Sequence, residues 1–217
     1  MGDFGMYERE KQELIDCARK MEKYQLVTMS GGNVSLKLPC GNILVTPSAM
    51  GYDTMVPDDI VIVDSTGNTV EGKRRPSSDT KAILYIFSHR ADINALIHTH
   101  QPYATAVGMV CDRLPANQVT VIDEIGGEVP VAPFTRSSDE GMGIITVQYA
   151  TRAKALILKH HGVMAFGKSL EQALCAAVYL EEASKAHLAM LATGRPVPLL
   201  TAQQIADEGE ERGNYGQ

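Results

Sequence analysis

Four of the six histidines stand at the ends of apolar runs. His98 and His100 close "INALIHTH" (93–100), and His160 and His161 close "AKALILKHH" (153–161). On a β-strand the side-chain period of two puts His98 and His100 on one face. Two neutral imidazoles on one face are half of a transition-metal site, or two polar residues at a strand end. In an extended segment His160 and His161 face opposite ways, so only one can join the first pair. The other is expected against the opposite layer. A third imidazole from a separate strand would complete an open, catalytic three-histidine zinc site. Asp79, in "RRPSSDTKAI" (74–83), is the best local carboxylate for an exchangeable ligand or a base. Taken alone, it is a first-turn helix residue favoured by the macrodipole.

Two other stretches offer anion-binding chemistry. In "SGGNVS" (30–35) two glycines allow close backbone approach and Asn33 adds an amide donor, although on this stretch alone a tight turn between strands is the better reading. In "PSSD" (76–79) two serines at a helix start either bind an anion or simply cap the helix. His89 and His187 fall on helices without partners in the pattern, and Cys111 and Cys175 are expected to pack as small hydrophobes.

These residues need elements to hold them. Residues 6–24 have helical periodicity through Leu14, Ala18 and Met21. Short β-like runs follow ("LVTMS", "NVSLKL", "NILVTP", "DDIVIVD"), with "STGN" (65–68) as a hairpin turn. A helix is expected after Pro76, with Ser77 or Ser78 as its N-cap, reaching His89. Strand 93–100, helix 102–110, the run "EVPVAPF", helix 138–151 and the strands "AKALILKHH" and "GVMAF" come next. Helix 170–193 starts with the Ser169–Gln172 capping box and ends at Gly194. The polar tail 202–217 reads as a disordered end or a segment docking on a partner subunit. Early strands with interspersed helices indicate a layered sheet-and-helix domain, and the many tight turns argue against a purely parallel sheet.

Composition narrows the function. Across 217 residues, 44% are hydrophobic and 21% charged, as in an ordinary globular chain, and the net charge of −6 argues against nucleic acid as a partner. No apolar run is long enough to span a membrane. The start "MGDFGMYEREKQ" resembles neither a signal peptide nor, with Met6, a myristoylation signal. The four cysteines lack C-x-x-C spacing and are read as reduced thiols of a cytoplasmic protein.

Taken together and in this order, "GGNVS", "VTPSAMGYD", "PSSD", "IHTH" and "LKHHG" resemble the class II aldolase/adducin family. The likeness runs from about residue 8 to the final "NYGQ". It implies a single domain over residues 1–217, folded as a three-layer α/β/α sandwich around a mixed, mostly antiparallel sheet. It implies Zn2+ on His98, His100 and His161, with Asp79 as further ligand or acid/base. It implies a phosphate site of Gly32, Asn33, Ser48, Ser77 and Ser78. Tyr215 matches a tyrosine that reaches a neighbouring subunit's site, which implies a homotetramer. The chemistry implied is retro-aldol cleavage of a ketose 1-phosphate through a metal-stabilised enediolate.

Two positions depart from the aldolase pattern. Asp79 replaces a glutamate, and the related ribulose-5-phosphate 4-epimerases have aspartate there, with Asp123 on their catalytic aspartate. Yet the compact interval from Asp123 to His161 has aldolase length, and Val119 stands near the place of an aldolase tyrosine. Ala49 replaces a glycine beside the phosphate. Aldolase is the favoured reading and epimerase the alternative. A ribulose-phosphate dehydratase or an adducin-like scaffold follows less well, since all three histidines and a carboxylate are present.

Overall fold

The fold was obtained as a computed structural model, which describes residues 7–211. Helix α1 (Glu8–Lys23) is followed by four short strands, β1 (Asn33–Lys37), β2 (Ile43–Val45), β3 (Val61–Val63) and β4 (Thr69–Glu71). The β3–β4 turn is the expected one, with Gly67 at φ +90° and the Asp64 carboxylate accepting from the Thr66 and Asn68 N–H groups. After α2 (Thr80–His89) come β5 (Ala95–Thr99), α3 (Pro102–Val110), β6 (Arg113–Leu114) and β7 (Val129–Ala132). Then α4 (Glu140–Tyr149), β8 (Ala155–Leu158), β9 (Gly162–Gly167), α5 (Leu170–Ala192) and α6 (Ala202–Glu211) complete the order.

Among the described residues nine strands form one sheet, in the order β4-β3-β2-β1-β5-β9-β8-β7-β6. Every pairing is antiparallel except β7 with β8. The mixed, mostly antiparallel sheet anticipated from the resemblance is present. The period of two divides its side chains between two helical layers. On one face Val34, Ala95, Ile97 and Ala165 meet α1 and α5. On the other, Leu96, Leu156, Met164 and Phe166 meet Ile83, Ile86 and Phe87 of α2 and Met142 of α4. Each such buried Val, Leu, Ile, Phe or Met side chain stabilises the fold by about 2 kcal/mol, well above the contribution of an exposed ion pair such as Arg9–Glu13. β5 is therefore covered on both faces, which is why its sequence is a continuous apolar run.

Three local expectations change. "LVTMS" is a loop rather than a strand, because Gln25 (φ +59°) and Met29 (φ +55°) are left-handed and break extended pairing. The N-cap position of α2 is Asp79 instead of a serine, and the Ser77 hydroxyl accepts the Asp79 N–H at 3.3 Å. Residues 202–211 form α6, started by a capping box at Thr201 and Gln204, with Ile205 packed beside the α3–α5 core. That T-x-x-Q signal was available in the sequence.

Candidate metal centre and cleft

The histidine cluster grows from the end of the central strand. β5 alternates Ala95, Ile97 and Thr99 toward α5 with Leu96 and His98 toward α2, so His98 and His100 share a face at its edge. His98 is 1% exposed, and its Nδ1 lies 2.9 Å from the carbonyl of Val163 on neighbouring β9. A carbonyl only accepts, so Nδ1 carries the proton and Nε2 presents a lone pair. That Nε2 stands 3.0 Å from Nε2 of His100.

His161 arrives from the three-residue loop between β8 and β9, where Leu158 pairs with Gly162. The loop is not extended: His160 is left-handed at φ +58°. His160 accordingly turns outward, exposed beside Phe134, rather than packing against the opposite layer as strand geometry suggested. A Cβ at Gly162 would strike the Thr99 carbonyl, so only glycine lets β9 close on β5 and bring His161 to His100. The ligand atoms of His98, His100 and His161 lie within 4.8 Å of one another.

Electrostatics holds the cluster neutral. Burial, then the facing His161 and His100, press His98 down to about 3. Burial also lowers His100 and His161, while the Asp79 charge pulls the other way. Three neutral imidazoles face one another, with Nε2 of His98 and His100 3.0 Å apart, and the buried Nδ1 of His161 has no hydrogen-bond partner. This donor set fits a divalent metal ion.

The cluster opens on a cleft of about 210 Å³. Gly32, Ser48, Ser77, Ser78 and Asp79, all singled out from sequence, line it. Gly32 is at φ +76°, and a Cβ there would run into the His98 carbonyl. Asn33 is buried beneath, opposite His98 in the β1–β5 register, and donates to Asp79 Oδ2 at 2.8 Å. Ala49 lines the cleft at φ +57°, a conformation that accounts for glycine being the ordinary choice. The hydroxyl of Ser138 donates to Asp79 Oδ1 at 3.3 Å, and Ser137 is beside it. The sequence reading passed over both, although "RSSD" before α4 echoes "PSSD" before α2. It also passed over Tyr52, 1% exposed, whose hydroxyl donates to the carbonyls of Gly31 and Gly32 and so fixes that loop. Arg75 and Lys81 border an adjoining hollow on one side and Arg136 on the other, surrounding the cleft with positive charge.

Other singled-out residues lie elsewhere. Asp123 is in a π-helical turn, Val121–Ile125, that packs on α5 and α6, and it does not line the cleft. Tyr215 lies outside the described residues. His89 is an exposed helix residue stacked on Tyr85, and His187 is buried with Nε2 3.7 Å from Cys111 Sγ.

Comparison with known proteins agrees with the geometry. Residues 12–188 match the family model described as "Class II Aldolase and Adducin N-terminal domain". The chain is 31% identical over 205 residues to the L-fuculose phosphate aldolase of Escherichia coli K12, covering 94% of each chain. It is 28% identical over 213 residues to the 5-deoxy-D-ribulose 1-phosphate aldolase of Bacillus thuringiensis, covering 98% of this chain and 99% of that one. A solved L-fuculose 1-phosphate aldolase superposes with a TM-score of 0.90 at 29% identity, covering 97% and 99% of the two chains. The chain belongs to the class II aldolase and adducin family, whose aldolases are metal-dependent aldehyde-lyases.

Proposed function

We propose that this protein is a zinc-dependent aldolase that cleaves a ketose 1-phosphate, of the fuculose-1-phosphate kind, into dihydroxyacetone phosphate and an aldehyde. The observation that carries the reading is three neutral imidazoles meeting a serine-lined cleft bounded by one carboxylate. Relatives named for L-fuculose phosphate and 5-deoxy-D-ribulose 1-phosphate support the substrate class.

His98, His100 and His161 would hold the metal. When bound, it supplies Lewis acidity where negative charge develops on the substrate. Ser48, Ser77 and Ser78 with the Gly32 backbone hold the phosphate, and Arg75 and Lys81 attract it from the side. Anchoring the substrate away from the breaking bond fixes its reacting carbons against Asp79. Asp79, oriented by Asn33 and Ser138, moves a proton at the reacting carbon or its hydroxyl oxygen. Tyr215, carried by the 202–217 tail of a neighbouring subunit in a homotetramer, protonates or orients the departing aldehyde oxygen. Exposed Tyr103, Met109, Val110, Val119 and Leu199 support such an assembly. Among the described residues no helix is long and apolar enough to cross a membrane.

The test is a product assay on metal-replete protein offered fuculose-1-phosphate, rhamnulose-1-phosphate, 5-deoxyribulose-1-phosphate and ribulose-5-phosphate. Release of dihydroxyacetone phosphate establishes the aldolase. Xylulose-5-phosphate alone would replace it with the 4-epimerase and give Asp123 a role at a neighbouring subunit's site.

A further inference from the structure

We propose that Glu181 is a positioning residue for His100, acting from behind the sheet through the start of α3. The inference deepens the metal-centre reading above and rests on it. His100 is exposed at the rim of the cleft, and its backbone runs directly into α3. Its ring direction therefore depends on how the segment 99–104 is held.

That segment is tied to α5 through the Gln101 side chain and the Tyr103 and Ala104 N–H groups. Thr99 Oγ1 donates to Gln101 Oε1 at 2.6 Å, and Gln101 Nε2 donates to the Ala177 carbonyl at 3.1 Å. At the helix start Pro102 has no N–H, and the Thr105 N–H is bonded to the Gln101 carbonyl. The remaining N–H groups of the first turn are those of Tyr103 and Ala104. They go to the two oxygens of a single carboxylate, Glu181, at 3.0 and 2.9 Å. Thr99 and Gln101 are fully buried, and Glu181 is 2% exposed.

Helix capping alone does not call for this arrangement. A Ser or Asn at position 101 would cap one of the same N–H groups locally without burying an acid. Burying a carboxylate is costly, and burial indeed pushes the Glu181 acid group up while the Ala104 and Tyr103 N–H groups pull it back. Instead, Gln101 turns inward and the acceptor comes from a helix more than 75 residues further along the chain. What the remote carboxylate adds is fixed geometry: it locks the segment that follows His98 and His100 onto the long helix behind them. A metal site tolerates misplacement of well under 1 Å, so such a lock has a use that a local cap lacks.

The test titrates full-length, metal-stripped protein with Zn2+ against a competing chromophoric chelator and records the visible spectrum of the Co2+-substituted protein. Glu181→Gln keeps the shape but sets an amide donor against a helix N–H. It is expected to weaken Zn2+ binding about tenfold or more and to alter the Co2+ bands. Leu174→Ala, a buried change on the same helix facing α1, lowers stability and is expected to leave both readouts as in wild type. Wild-type affinity and spectrum in a folded Glu181→Gln protein overturn the proposal. Should Glu181→Gln fail to fold, Glu181→Asp keeps the charge but shortens its reach to the Tyr103 and Ala104 N–H groups. An unshifted Co2+ spectrum in that variant overturns the proposal, and a shifted one supports it. If wild type itself takes up neither ion, the metal-centre reading fails and this inference with it.

Discussion

Two helix starts flank the histidine cluster, and they are finished in opposite ways. α3 begins two residues after His100, and the carboxylate of Glu181 closes its first turn from the neighbouring helix α5. α2 begins at the cleft, where Ser77, Ser78 and Asp79 face the cavity and the Asp79 side chain makes no capping hydrogen bond to the first turn. Both ends carry the partial positive charge of a helix N-terminus. At α3 that charge is used up inside the protein and makes a rigid mount for a ligand. At α2 it is left facing the cleft, where an anion can use it. A helix start thus serves as scaffold or as binding site according to where its acceptor comes from.

Breaking the mount side directly should produce the largest effect. His100→Ala and His161→Ala are each expected to abolish stoichiometric metal uptake and turnover, read by elemental analysis and the product assay. Full activity in either would remove the zinc assignment. Next, Asp79→Asn on the α2 side should lower turnover by about 10²–10⁴-fold while metal content stays intact, because the carboxylate is tied to Asn33 and Ser138. Loss of metal in that variant would make Asp79 a ligand and erase the division between the two sides.

A smaller effect sharpens the contrast through pH. The cluster histidines titrate below the ordinary imidazole value in the folded protein, His98 near 3. A depressed folded pKa gives stability that is complete above about 6.5 and lost as pH falls toward the folded value. The metal-free protein should therefore lose about 2 kcal/mol from His98 alone between pH 7 and pH 5. Thermal melts across that range would show it, and a flat Tm would mean the imidazoles are solvated. The smallest effect belongs to the open helix start. Ser78→Ala should raise KM for the phosphorylated ketose about tenfold, the worth of one hydrogen bond to a charged group, with metal content unchanged. An unaltered KM would place the phosphate elsewhere in the cleft.

Much of the site was legible because its chemistry is carried by short segments. "IHTH" places two imidazoles on one face by strand period alone, and "SGGNVS" and "PSSD" mark turns that the structure sets along one cleft. The outward turn of His160 was not legible, since it depends on a left-handed residue in a hairpin that strand periodicity does not reveal. Neither was Asp123's place away from the cleft, because matching a motif fixes no position relative to the rest of the subunit.

The sequence by itself determined the residue types that can bind metal and anion, the strand and helix periods, and the capping signals at Ser169 and Thr201. These follow from local rules of backbone and side-chain geometry. Only the tertiary structure decided which groups meet across the chain. His98 finds the Val163 carbonyl 65 positions away, Asp79 finds Ser138 59 away, and α3 finds Glu181 77 and 78 away. Such meetings depend on strand order and layer assignment. A hydrophobic pattern specifies which face is buried, and leaves open which neighbour buries it.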